Sequence, residues 1–521
     1  MRHDVCALSD LSVEGMTEVE AQGLKILLLR EPGDRVQALG GLCPHKGAPL
    51  KDGMRVGSKL ICPWHHAIFD VATGDHLEPP GKGCLNRFAA SVEDGRVFVE
   101  IAEGQGLHRP EVEAAQRRRG GDKLFAIVGA GAAGLACAEE LVKLGFDGRI
   151  VMISPEAEPP YDRTDLSKTY LAGKLPDEKL PLAAPEALDG LGIERRTATV
   201  TRVDPSAREI RFTVGEPLRF DRCFVAPGSA AARPNLPGLD LDGVHVLRSH
   251  CDAAALKAAL PRARHIVVVG AGFIGMEAAA QLATLGKRVT VIARDKIPFV
   301  RQFGPDVAGQ IADQHKEKGV AIQGGQEVES LKGADGRVAA VRLKSGQEIE
   351  ADLVLVAVGA APRAKLLDPE AGKGVAVDAF LEFAPGVHAG GDIAAVPLPG
   401  RMKPLRIEHW RVAEQHGRQA ARAMLGEAEP FAGIPFSWTA QFDRVSYLGH
   451  ADSADEVHIE GDLAAGSYTA FYVERGTVTA AIGRGKGDRT PALHALMLSD
   501  PTPSRASLES VGWAPEKLLR G

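Results

Sequence analysis

The residues with the plainest chemistry lie in two short motifs, Cys43-Pro44-His45 and Cys62-Pro63-Trp64-His65, separated by sixteen residues. A thiolate and an imidazole in each motif suit a [2Fe-2S] centre of the Rieske type. Cys43 and Cys62 would hold one iron. His45 and His65 would hold the other as neutral imidazoles, which raises the potential above that of an all-cysteine cluster. Gly47, Pro49, Gly53 and Gly57 lie between the motifs and suit tight loops. A Cys2His2 zinc site uses the same ligand types. Its usual spacing, however, pairs cysteine with cysteine and histidine with histidine, not two mixed pairs. His66 reads as a neighbour, because four ligands complete the set.

Two glycine signatures come next. Leu124-Phe125-Ala126-Ile127-Val128 has the composition of a buried strand and runs into Gly129-Ala130-Gly131-Ala132-Ala133-Gly134, an alanine-rich helix to about Leu144 and a second strand from Arg149 to Ile153. The pattern recurs where His265 to Val269 precedes Gly270-Ala271-Gly272-Phe273-Ile274-Gly275, a further helix and the strand Arg288 to Ile292. In such a strand–turn–helix unit the glycines permit a tight turn and close approach of backbone N–H groups to a pyrophosphate. Two copies in the right context carry far more weight than one. They imply two nucleotides, most economically FAD with NADH or NADPH, hydride passing between them. A later segment, Ala389-Gly390-Gly391-Asp392, places a carboxylate where ribityl hydroxyls could donate to it, although taken alone Asp392 reads as a helix cap.

The elements that must position these groups give a multidomain fold. An all-β Rieske domain (1–104) is followed by a polar linker (105–121). Two Rossmann-like α/β domains come next: a discontinuous FAD-binding domain (122–236 and 361–427) and an NAD(P)-binding domain (237–360). An α+β C-terminal domain (428–521) closes the chain. The first domain shows short apolar runs broken by Gly/Asp turns such as Glu93-Asp94-Gly95. The linker, if a flexible coil, would span roughly 20–25 Å. Trp438 to Phe442, Tyr468 to Val473 and Thr477 to Ile482 read as antiparallel strands, and 491–498 as a helix.

Composition narrows the function classes. The 521 residues are 25% charged and 45% hydrophobic with a net charge of −6, which leaves no footprint for nucleic acid. Arg117-Arg118-Arg119 reads as a solvated linker run. No signal peptide or membrane span is legible, since the most apolar stretch, from Ile266 to Leu285, contains Glu277 and several glycines. Seven cysteines, Cys6, Cys43, Cys62, Cys84, Cys137, Cys223 and Cys251, form no close pair, so a reducing, cytoplasmic setting is expected. The redox dithiol of a disulfide reductase is absent.

On these motifs, residues 1–104 resemble a Rieske ferredoxin domain. Residues 122–521 resemble the apoptosis-inducing-factor-like and ferredoxin-reductase flavoproteins that serve bacterial oxygenases. The fused order is similar to the Rieske-containing members of the apoptosis-inducing-factor-like family. Further matches are Pro160-Tyr161-Asp162-Arg163 with Leu166-Ser167-Lys168, the stretch from Leu353 to Pro362, Gly390-Gly391-Asp392, His409-Trp410, and Phe436 to Phe442. The resemblance implies that Arg163, Lys168, Asp392, Trp410 and Trp438 lie at the FAD, with Lys168 beside the flavin ring and paired with Glu277. A cation there would stabilise the charge that develops on reduction. The acid usual after the first βαβ unit is missing at Pro155, and Glu156 is expected to take the FAD ribose. The family's Ala-Thr-Gly turn reads Ala226-Pro227-Gly228, and His66 replaces a common glycine, which implies a reshaped loop. High-potential Rieske relatives add a disulfide between the cluster loops. The corresponding positions here are Ala48 and Trp64, which implies a low potential.

The expected function is an NAD(P)H-dependent flavoenzyme passing electrons through FAD and the Rieske cluster to an external ferredoxin-type or oxygenase-type protein. The alternative is a redox-responsive binding or signalling protein with slow turnover. A nitrite-reducing role for the chain alone is set aside, because it has no sirohaem-type cysteine set. Homodimerisation is left open. For the nicotinamide, Ala293 stands where an acid would read the ribose 2′-OH, and Arg294 could hold a 2′-phosphate. Gly275 and Asp295 lean the other way, and the expectation is that NADPH is used at least as well as NADH.

Overall fold

The computed structural model describes residues 1–13, 15–114 and 117–519. The N-terminal part is a six-stranded antiparallel sheet in the spatial order Arg2–Ala7, Arg96–Glu100, Arg87–Glu93, Arg35–Gly40, Leu24–Glu31, Met16–Ala21. A second sheet, Met54–Val56, Lys59–Ile61, Ile68–Asp70 and His76–Glu78, carries the cluster loops. Leu27, Leu29, Leu39, Leu60, Phe69 and Leu85 pack with Cys43 and Cys62 in one core. Both cysteines are therefore rooted in apolar packing, while the histidines project from it.

The first dinucleotide unit is a sheet in the order Ile193–Thr197, Arg149–Ser154, Leu124–Val128, Arg222–Val225, Val387–Ala389, Glu382–Ala384, parallel except for its last strand. The second is all parallel, Val244–His245, Leu353–Val356, His265–Val269, Arg288–Ala293, Val320–Gly324. His265–Val269 is buried along its whole length, as a central strand covered on both faces must be. The helix Trp410–Leu425 packs on the first dinucleotide helix, Ala132–Lys143, so closely that a Cβ on Gly417 would stand 2.1 Å from the Ala133 carbonyl oxygen. The C-terminal part is a five-stranded antiparallel sheet, Phe436–Gln441, Asp443–Gly449, Thr477–Arg484, Ser467–Glu474, Glu456–Asp462. It is followed by the helix Thr490–Met497 and two shorter helices, Arg505–Ser510 and Pro515–Leu518.

The segment read as a polar linker is fastened down on both sides. His108–Arg109 pairs with Cys84–Leu85 of the Rieske part. Glu111 bonds Lys143 at 3.1 Å and Arg418 at 3.0 Å, which ties it to both packed helices. Arg118 and Arg119 are exposed, as their run suggested, but Arg117 is half-buried and its guanidinium donates to the Phe146 and Gly148 carbonyls. Asp392 is not a helix cap. It lies inside the short turn Gly391–Ile393, and its carboxylate pairs with Arg248. Both corrections have one cause: partners distant in sequence satisfy these charges better than solvent or a local cap.

Among the described residues no helix is long and apolar enough to cross a membrane.

Candidate active site: a nucleotide cleft beneath the iron–sulfur loops

The two glycine turns have the same backbone. Gly129 (φ 111°) and Gly270 (φ 108°) begin them in a conformation that disfavours side chains, and an added Cβ would stand 2.1 Å from the Ala226 carbonyl and 2.4 Å from that of Ala357. Gly134 and Gly275 close each turn, with a Cβ 1.9 Å and 2.2 Å from the opening glycine's carbonyl. The middle glycines differ, because a Cβ on Gly131 or Gly272 would meet nothing within 4 Å. Open space at the helix N-terminus is what a pyrophosphate needs, and both turns fit a dinucleotide.

The first turn opens into a cavity of about 1550 Å³. Glu156, Arg163, Lys168, Asp392, Trp410 and Trp438 all line it. Phe273 and Glu277 reach it from the second dinucleotide unit. No cysteine is among these lining residues. Arg294 is exposed, follows the last residue of Arg288–Ala293 and lies outside the cavity lining. Asp295 is paired with Arg301 at 2.6 Å.

Lys168 and Glu277, 109 positions apart in sequence, meet at 2.9 Å. The Glu277 carboxylate also accepts from Ser167 Oγ at 2.6 Å, Thr439 Oγ1 at 2.7 Å and the Ala440 N–H at 3.1 Å. It is only 4% exposed, and these donors satisfy a charge that would otherwise be costly to bury. One carboxylate thus joins the FAD-side segment, the second dinucleotide helix and the C-terminal sheet. Glu156 accepts from Tyr161 at 2.7 Å and from Arg163 at 2.8 Å. Burial pushes its carboxyl up, but Arg163 and Tyr161 together hold it below the ordinary value.

Above the cavity stand the cluster loops. The Nδ1 atoms of His45 and His65 face each other at 3.1 Å, and His45 Nε2 is buried without a partner. Burial, above all, holds His45 down to about 4 and His65 well below its usual value, so both are neutral, the form that binds metal. A shared hydrogen bond with Cys62 pushes the Cys43 thiol up. Burial raises Cys62, but Cys43 and then the Trp64 and His65 N–H groups bring it below the ordinary thiol value. With metal–nitrogen bonds of about 2.1 Å, two imidazole nitrogens at this separation fit adjacent positions on one ion. The four side chains expected as ligands divide into a sulfur pair and a nitrogen pair, which suits two irons better than one zinc.

The histidine pair is half-buried and packs against the C-terminal sheet. The Trp438 ring lies 4.5 Å from His65 and 5.7 Å from His45, centroid to centroid, and His409 flanks the same indole at 4.6 Å. Lys46 reaches Asp165 at 2.7 Å and Asp162 at 3.3 Å on the segment that leads to Lys168. His66 stacks on Phe436 at 3.8 Å, and its Nδ1 stands 3.0 Å from that of His494. Ile61 and Ile68 pack on Ala495. Sequence reasoning missed Lys46, His66, Arg248 and Arg411 as joints between domains. Only His66, sitting where glycine is common, left any signal.

Comparison with known proteins agrees with this architecture. Residues 1–89 match the Rieske [2Fe-2S] domain, and residues 124–417 match the pyridine nucleotide-disulphide oxidoreductase family. Apoptosis-inducing factor 3 of Homo sapiens is 35% identical over 91% of this chain and 80% of its own length. A ferredoxin–NAD(P)(+) reductase of Sphingomonas sp is 35% identical over 68% of this chain and 87% of its own. The crystal structure of the covalent putidaredoxin reductase–putidaredoxin complex superposes with a TM-score of 0.70 at 25% identity, covering 73% of this chain and 94% of that one. The cofactors are FAD, NAD(P)H and a [2Fe-2S] cluster.

Proposed function

Because this chain belongs to the pyridine nucleotide-disulphide oxidoreductase family and carries an N-terminal Rieske domain, we propose that electrons from NAD(P)H pass through FAD to the cluster and leave to an external ferredoxin-type or oxygenase-type acceptor. The observation that carries this reading is the placement of Trp438, which lines the nucleotide cavity and packs on both cluster histidines. Bound in their sites, FAD supplies hydride acceptance and release of single electrons, and the cluster supplies one-electron storage.

The chain's own residues prepare that transfer. Gly129, Gly131 and Gly134 would hold the FAD pyrophosphate, and Gly270, Gly272 and Gly275 that of the nicotinamide nucleotide. Lys168 keeps a fixed cation at the cavity, where it would stabilise negative charge developing on the flavin ring. Glu277 holds that cation and is itself held by Ser167, Thr439 and Ala440. Trp438 and His409 occupy the space between cavity and cluster loops.

Anaerobic mixing of the holoprotein with NADPH or NADH should bleach the flavin first, and the EPR signal of a reduced Rieske cluster should rise within the same turnover. A reduced protein that retains its nicotinamide and leaves the cluster oxidised would favour the slow, redox-responsive binding role instead. Lys168→Ala should keep its FAD and lose about a hundredfold in flavin reduction rate. A wild-type rate would remove Lys168 from the mechanism. For the nicotinamide, Asp295 is engaged by Arg301 while Arg294 is exposed beyond the strand end, an arrangement that favours use of NADPH. Paired kcat/KM values decide this. A preference for NADH above about tenfold would reject it and point to Asp295 as the ribose ligand.

A further inference from the structure

We propose that Arg411 is the positioning residue that sets the gap between the flavin and the iron–sulfur cluster. The inference rests on the electron route proposed above. Arg411 is 1% exposed and lies one residue after Trp410, in the first turn of the helix Trp410–Leu425. Its Nε donates to the Pro79 carbonyl at 2.7 Å and its Nη1 to the Ile434 carbonyl at 3.1 Å. Its Nη2 lies 3.7 Å from the Glu78 carboxylate.

Each anchor leads directly to a working part. Trp410 lines the nucleotide cavity. Pro79 begins the loop whose Gly81 lies against a cluster ligand, since a Cβ on Gly81 would stand 3.2 Å from the Cβ of His45. Ile434 leads into Phe436–Gln441, the strand that carries Trp438. One guanidinium therefore holds together the flavin wall, the cover of His45 and the indole between the two centres. Gln415 and Arg418 extend the grip along the same helix face, Gln415 donating to Glu78 at 2.8 Å and Arg418 to the His76 and Leu77 carbonyls at 3.4 Å.

The chemistry suits a spacer. A planar fork of donors aimed at two backbone carbonyls fixes direction as well as distance, which a lysine ammonium does not. Burying a cation so completely costs stability unless its hydrogen bonds are made, so the joint closes in one geometry. Electron transfer falls steeply with separation, so a small shift of the loop from Pro79 to Gly81 would change the rate without altering either centre.

The test uses full-length holoprotein carrying Arg411→Met or Arg411→Lys. In Arg411→Met, NADPH should reduce the flavin at the wild-type rate while cluster reduction slows about tenfold or more. The cluster's potential and EPR line shape should stay unchanged. Amide hydrogen exchange over residues 76–83 should rise, and Arg411→Lys should recover only part of the rate. Wild-type cluster reduction in Arg411→Met overturns the proposal. So does a slowdown accompanied by slower flavin reduction or an altered EPR signal, which would mark general damage. If Arg411→Met does not fold, Gln415→Met should show the same split at smaller size, and a wild-type rate there overturns the proposal equally. If the wild-type protein itself never reduces its cluster, the electron route fails. The exchange of residues 76–83 then decides the positioning role separately, and unchanged exchange in the variants rejects it.

Discussion

In the first ligand loop the Cys43 N–H donates to the Ala48 carbonyl at 2.8 Å; in the second the Cys62 N–H donates to the Ala67 carbonyl at the same distance. Four residues after each cysteine the backbone turns left-handed, at Gly47 (φ 74°) and at His66 (φ 58°). The loops share this closure, although the histidine follows the cysteine by two residues in the first and by three in the second, and the left-handed position is filled differently. Gly47 is exposed and a side chain there would meet nothing, whereas His66 is buried against Phe436 and His494. A β-carbon in the left-handed region costs roughly 1–2 kcal/mol. The second loop bears this cost where it meets the C-terminal domain, and the first loop avoids it. The two loops therefore share one closing bond but dock differently, the first through Lys46 on Asp162 and Asp165 and the second through His66 on Phe436 and His494.

The largest effect should be common to both loops. Cys62→Ser, His65→Ala, Cys43→Ser and His45→Ala should each abolish the cluster and leave FAD bound, because the nucleotide cavity is lined entirely by residues after position 127. An intact Rieske EPR signal in any of them would break the ligand assignment. The second prediction concerns what does not join the loops. Ala48 is buried, Trp64 is 37% exposed and all seven cysteines are free, so no disulfide ties one loop to the other. A redox titration should place the cluster towards the lower end of the Rieske range, about −150 mV, and a strongly positive potential would contradict this.

His66→Gly tests the difference itself. It should relieve the left-handed strain and remove the docking stack, so hydrogen exchange should rise in the loop and in Thr490–Met497 while the cluster stays bound. Unchanged exchange in that helix would mean that His66 contributes nothing to docking. The smallest effect belongs to Gly47→Ala, expected to lower stability by about 1 kcal/mol with both cofactors retained. Denaturant unfolding checks it, and a neutral result would show that the first loop tolerates what the comparison says it avoids.

Local sequence determined the chemistry of this protein. The four proposed cluster ligands lie within 23 consecutive residues, and each glycine turn within six, because a metal loop or a phosphate cradle is made by a short run of backbone. The strand–turn–helix units around those turns were legible for the same reason, through hydrophobic runs bounded by glycine. Tertiary structure alone decided how the parts face one another. Arg411 meets Pro79 across 332 positions and His66 meets His494 across 428, separations over which no spacing rule operates. The partners of Arg117 and Asp392 were not legible from sequence, because nothing local to either residue marks the distant carbonyls or guanidinium that reach it. The inward orientation of the histidine pair belongs to this second class. Ligand identity depends on a few contiguous bonds, whereas the spacing of the two sites depends on which surfaces of the domains bury one another.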